Sequence, residues 1–165
     1  MLSIPLIIAA FTGNDLVYEQ SIHINAPIDS VWEHTNSLAD LDSWSPWDVK
    51  DPDMKKECTG IDGTVGAMQS WDSEVEGIGA GSQTIAKIEA PTYLETDLKF
   101  IKPKEMESKG YIHLVVEDVG TTLTWGFKSE MPYPFNFMLL FLDMEKHMGE
   151  DWNYGLNTLK DLAEN

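Results

Sequence analysis

Four histidines, one cysteine and the carboxylates are the side chains of this chain that could break a bond or hold a metal. His23, His34, His113 and His147 are nowhere spaced i, i+4, and no HExxH occurs, so no metal site is expected. Cys58 is the sole cysteine, which excludes an intramolecular disulfide and a cysteine-held zinc. It has no evident base beside it, and no G-x-S-x-G elbow is present, so nucleophilic catalysis has no visible seat. The glycine-rich run GIGAGS falls between two expected antiparallel strands rather than between a strand and a helix. It therefore reads as a turn or mobile lip and not as a phosphate cradle.

Proton transfer would need polar groups facing inward. The candidates are Tyr18, Gln69 or Ser70, Thr96, Tyr111 and Ser129, none of them paired with a second group in a way that spacing exposes. Glu95, Asp97 and Glu117 fall on the outward side of their strands, and His147, near Glu150 and Asp151, reads as solvated. No catalytic constellation emerges, and no cofactor is expected. Aromatic residues speak more strongly. Six tryptophans, at 32, 44, 47, 71, 125 and 152, come from separate elements, and such rings are costly to leave in water.

The elements that must position these residues can be read from periodicity. LVYEQSIHINAP alternates, with Tyr18, Gln20, Ile22 and Ile24 on one face, and Pro27 ends the strand. PIDSVWEHTN carries a short amphipathic stripe, and SLADLDSW suggests a second short helix before the SWSPWD loop. MKKECTG, TVGAMQSWDS, SQTIAKIEA, YLETDLKFI, KGYIHLVVED and TTLTWGFKSE then follow as about six hairpin-linked antiparallel strands with one apolar face. Apolar residues recur in steps of three and four from Phe141 through Met144, Met148, Trp152, Leu156, Leu159 and Leu162, the strongest helical signal in the chain.

Composition bounds the partners. The 165 residues carry 28 acidic and 11 basic side chains, a net charge of −17, and every basic residue is a lysine. That charge opposes phosphate backbones and anionic membrane surfaces, and no arginine fork is present to grip phosphate, so nucleic-acid binding is excluded. The apolar opening MLSIPLIIAAF is about half the length of a spanning helix and has no basic n-region. Residues 1–15 are expected to be a lead-in, packed on the fold or ending a longer hydrophobic anchor, and 16–165 a single domain. The protein is expected in the cytoplasm, or tethered to a membrane if that anchor exists, with membrane association only through the N-terminus.

SIHINAPIDSVWEHTNSLADLDSWSPWD resembles the opening of SRPBCC-superfamily proteins, which include START-like, pollen-allergen-like and polyketide cyclase-like domains. The likeness lies in a strand ending Ile-Asn-Ala-Pro, a helix bearing Trp32 and a Trp-x-x-Trp loop. It continues through GAGSQTIAKIEAPTYLETDLKFIKP and LTWGFKSEMPYPF to GLNTLKDL, about residues 16–163, with the polyketide cyclase or dehydrase-like branch most similar. The resemblance implies an α+β helix-grip fold: a curved antiparallel sheet of about seven strands wrapped around the C-terminal helix, with two short helices after the first strand. It further implies an enclosed cavity, expected to be lined by Trp32, Trp44, Trp47, Trp71, Phe100, Trp125, Phe127, Phe141, Met148 and Trp152. One of Trp44 and Trp47 should line its mouth and the other pin the loop.

The expected function is binding of a hydrophobic small molecule or lipid. A cyclase, dehydratase or hydrolase would need paired polar groups inside the cavity. A co-chaperone-like interaction module would show an exposed apolar patch, around MPYPFNFMLLFL, and no open pocket.

Overall fold

The structure is a computed structural model and describes residues 13–141 and 143–165; the apolar opening lies outside the described residues. Strand β1 (Asp15–Ile24) buries Tyr18 and Ile24 and exposes Glu19, Ser21 and His23, as its alternation predicts. Three short helices follow: α1 (Ile28–Glu33), α2 (Leu38–Ser43) and α3 (Pro46–Lys50). The second half of the SWSPWD stretch, Pro46 to Asp48, is thus helical rather than loop. Ser45 caps it, accepting the Asp48 N–H at 3.4 Å, and Pro46 supplies a pre-set φ at the first position. Helix α2 is capped twice. Ser37 accepts the Asp40 N–H at 3.1 Å, and Asp62, more than twenty residues further along the chain, accepts those of Leu38 and Ala39 at 2.8 and 3.0 Å.

Strands β2 (Lys55–Thr59), β3 (Met68–Asp72), β4 (Ala80–Glu89), β5 (Tyr93–Lys102), β6 (Met106–Val116) and β7 (Thr121–Glu130) are joined by successive turns. All neighbours are antiparallel, in the order β1-β7-β6-β5-β4-β3-β2. Register shifts between Ala80 and Gly81 and between Ile85 and Lys87 bend β4 against β5, as bulges do, and help to curve the sheet. At Gly81 a side chain would meet the Trp71 ring at 2.6 Å and the Lys99 carbonyl at 2.5 Å. The missing Cβ is what lets Trp71 lie across its neighbour strand.

The long helix α4 (Met144–Glu164) packs on the concave face, burying Trp152, Leu156 and Leu159. Its expected start at Phe141 is corrected. Asp143 takes the cap position, accepting the Lys146 N–H at 3.1 Å, and Phe135–Phe141 forms a separate 3-10 helix. Phe141 therefore does not share the inward face of α4, and it is 79% exposed. At the other end, Glu164 accepts the Asn25 backbone N–H at 2.7 Å and Lys160 donates to the His23 carbonyl at 2.9 Å, clipping α4 to the end of β1.

The core fills the end of the fold where α1, β6, β7 and α4 meet: Ile24, Val31, Ile112, Leu114, Leu123, Leu156 and Leu159. Trp32 belongs here. It packs between this cluster and a second one of Leu38, Ala67, Ile85 and Leu94.

Candidate functional site

Away from that core, the sheet and α4 do not close on each other. They leave a cavity of about 490 Å³ beneath α2 and α3, lined by residues from most of the sheet. The wall is built around one ring. Trp125, carried inward by β7, stacks on Trp152 of α4 with centroids 4.0 Å apart and planes at 18°. It receives the edge of Trp44 at 4.9 Å and the edge of Trp47 at 5.9 Å. Tyr18 meets Trp152 edge-on at 5.2 Å, and across the cavity Trp71 meets Phe100 edge-on at 5.9 Å. Such edge and offset contacts suit the ring quadrupoles and hold the wall in place.

Glycine makes this possible. Gly155 sits mid-helix, and a Cβ there would lie 3.1 Å from the Trp125 ring and 3.3 Å from the Trp44 carbonyl. Trp44 is buried and donates its indole N–H to the His34 carbonyl at 3.0 Å, tying the end of α1 to the end of α2. Trp47 is half-buried on the same wall.

Of the ten residues expected at the cavity, Trp44, Trp47, Trp71, Phe100, Trp125, Phe127, Met148 and Trp152 are on its wall. Trp32 and Phe141 are not. Trp32 is held at the closed end of the sheet because α1 packs on β6, where side chains meet without a gap. Phe141 is held outside by the break before α4. It forms, with Tyr133, Phe135, Met138 and Leu140, an exposed apolar run between β7 and α4. The rim of the cavity carries the exposed Gly77, Met106 and His147.

One part of the wall is polar, and spacing did not reveal it. Lys56 of β2 sits between Asp42 of α2, at 2.9 Å, and Asp48 of α3, its ammonium donating to both. Gln69 of β3, 6% exposed, donates its amide to Asp42 Oδ2 at 2.7 Å. Burial pushes the Asp42 carboxyl above the usual carboxylate range, against the opposing pull of Lys56 and Gln69. Gln83 donates to Thr96 Oγ1 at 2.9 Å nearby. Asp42 and Asp48 lie on different short helices, so no periodicity relates them. Lys56 had a usable signal: it pairs directly with Trp71 across β2 and β3, and direct partners share a face.

The remaining inward candidates are spent on structure. Tyr18 donates to Glu145 Oε2 at 2.5 Å, and burial together with that carboxylate pushes its phenol up to about 12. Ser129 donates to the Glu107 carbonyl at 3.2 Å. Tyr111 lies on the outer face and donates to Glu19. Ser70 turns away towards the Glu57 carbonyl. Among the described residues, no group of His, Cys, Asp and Glu gathers to hold a metal ion, and no helix is long and apolar enough to cross a membrane.

Residues 16–164 match the sequence profile of the family described as polyketide cyclase / dehydrase and lipid transport. The chain belongs to that family. With it comes membership of the SRPBCC superfamily and its helix-grip fold, which the sheet order and α4 display. No curated protein sequence matches the chain. Solved structures similar to this family member include a protein from Chromobacterium violaceum, at 15% identity and a TM-score of 0.63, covering 90% of this chain and 97% of that one. The Aha1 dimer from Colwellia psychrerythraea is 16% identical with a TM-score of 0.61, covering 90% and 96%. The major latex-like protein 151 from Panax ginseng is 11% identical with a TM-score of 0.63, covering 90% and 97%. At these identities the likeness is one of fold.

Proposed function

We propose that the protein binds a hydrophobic small molecule or lipid in the cavity between the sheet and α4. The observation that carries this reading is the cavity itself: about 490 Å³ of space left within a fold whose opposite end is closely packed, with five of the six tryptophans on the wall. A pocket of that size, mostly apolar with a few convergent polar groups, is how small-molecule sites are built. The family description, which includes lipid transport, agrees with it. The test is titration with the neutral dye Nile red, together with native mass spectrometry of the purified protein for co-purifying apolar molecules. Dye fluorescence that saturates near one equivalent supports the reading; no dye binding and no bound molecule overturn it.

A second reading, an enzyme of cyclase or dehydratase type, is favoured by the Asp42–Lys56–Asp48 cluster. A carboxyl pushed up by burial and paired with an ammonium in a cleft is a reasonable proton-transfer pair. Turnover of a polyketide-like substrate that is lost in Asp42→Asn would establish it. The interaction-module reading asked for an exposed apolar run without an open pocket. The run from Tyr133 to Phe141 is present, but the pocket is open.

A further inference from the structure

The polar part of the wall is unbalanced in a way that bears on what can enter. Among the described residues, the ionisable groups lining the cavity are Asp42, Asp48, Asp151, Lys56 and His147. Lys56 is already committed: its ammonium donates to Asp42 Oδ2 and to Asp48 Oδ1. Asp42 Oδ2 also takes the Gln69 amide. Asp42 Oδ1 and Asp48 Oδ2 accept no hydrogen bond among the described residues. Asp151 is taken up by Lys50, at 2.5 and 2.7 Å. The cluster of two carboxylates and one ammonium thus keeps a net negative charge and spare acceptors, inside a chain whose net charge is −17.

A ligand carboxylate brought here would face two like charges and find its one cation already shared. Like charges at contact distance in a half-buried site repel, whereas a donor would be accepted by carboxylate oxygens that have no partner within the protein.

Resting on the proposed binding function, we infer that the cavity selects amphiphiles whose polar end donates hydrogen bonds and bears no negative charge, a hydroxyl or an ammonium, and rejects carboxylates such as fatty acids. The apolar body lies against the Trp125 wall and the polar end meets Asp42 and Asp48. Lys56 serves to hold the two carboxylates together rather than to bind an anion.

The experiment is displacement of Nile red from the full chain near neutral pH by dodecanol, dodecylammonium and tridecanoate, the alcohol below its solubility limit and the two ions below their micelle concentrations. These share one twelve-carbon tail and differ only in the head. Dodecanol and dodecylammonium should displace the dye at concentrations at least about tenfold lower than tridecanoate, a difference of about 1.4 kcal/mol. In the double variant Asp42→Asn, Asp48→Asn the order should reverse, because Lys56 is then the sole charge of the cluster. Circular dichroism checks that the variant is folded; if it is not, Lys56→Met supplies the alternative, and tridecanoate should then bind more weakly still. Dye that binds but is displaced equally well by all three, or best by tridecanoate, overturns this inference and leaves the binding function standing. Failure of the dye to bind, with no co-purifying molecule in the native mass spectrum, overturns both.

Discussion

The indoles of Trp125 and Trp152 lie face to face, 4.0 Å between centroids and 18° between planes, joining the middle of β7 to the middle of α4. This pair does two jobs. It is where the helix grips the sheet, and it is the floor of the cavity, because the wall beyond it has no partner across the gap. Removing one ring should therefore weaken the fold and enlarge the space at once. Trp125→Ala is expected to lower stability by about 3 kcal/mol, as large-to-small changes in packed sites do, measured as a shift in the urea midpoint. A loss well under about 1 kcal/mol would mean that the contact contributes little to the grip.

Gly155 allows Trp44 and Trp125 to reach the helix surface. Valine there would recover only a few tenths of a kcal/mol of glycine's helix penalty, being itself β-branched, and it would push two rings that other contacts hold. Gly155→Val should be destabilising on balance, by about 1–3 kcal/mol. The same residue placed at the exposed Glu150 should shift the melting temperature little. A Gly155→Val variant at least as stable as wild type would show that helix propensity, and not close approach, governs.

Trp44 and Trp47 are three residues apart and should separate stability from binding. Trp44 is buried and hydrogen-bonded to the His34 carbonyl, so Trp44→Ala should cost about 3–5 kcal/mol. Trp47 is half-buried on the cavity wall, and Trp47→Ala should unfold near the wild-type urea concentration while Nile red affinity falls by about tenfold. A Trp47 variant that binds the dye as wild type does would remove it from the site.

The half-buried Asp42 makes stability depend on pH in a direction that can be read in advance. Its pKa is raised in the folded state, chiefly by burial, so the folded chain holds this proton more tightly than the unfolded one. That contribution is complete below the unfolded value of about 4 and is lost as pH rises through the higher folded value. The difference in melting temperature, Asp42→Asn minus wild type, should therefore grow more positive from acid to neutral pH. A difference that is flat, or that falls with pH, would show that Lys56 and Gln69 outweigh burial at this carboxyl.

Strand alternation made much of the sheet legible. Leu94, Thr96, Leu98 and Phe100, or Leu123, Trp125 and Phe127, could be assigned to the inner face from period two alone, since a half-buried strand has only two faces to choose from. The α4 stripe was legible for the same reason, but its ends were not. A periodic pattern runs smoothly through Phe141, whereas the actual start is decided by the Asp143 cap, and near the C-terminus Ala163 reaches the core while Leu162 is 40% exposed.

What the sequence determined by itself was the order of elements, the apolar face of each and, through the SIHINAP and SWSPWD stretches, the superfamily. All of these are local patterns or patterns of spacing. What only the tertiary structure decided was which inward residues meet closely and which border empty space. Trp32 and Trp125 look alike in sequence, both aromatic and both on an apolar face, yet one packs half-buried between two core clusters and the other lines the cavity. The polar cluster is the sharper case. Asp42, Asp48, Lys56 and Gln69 come from four elements, and their meeting depends on where the curved sheet brings β2 and β3 under α2 and α3. Distances between elements are set by curvature and packing, and no periodicity within one element encodes them.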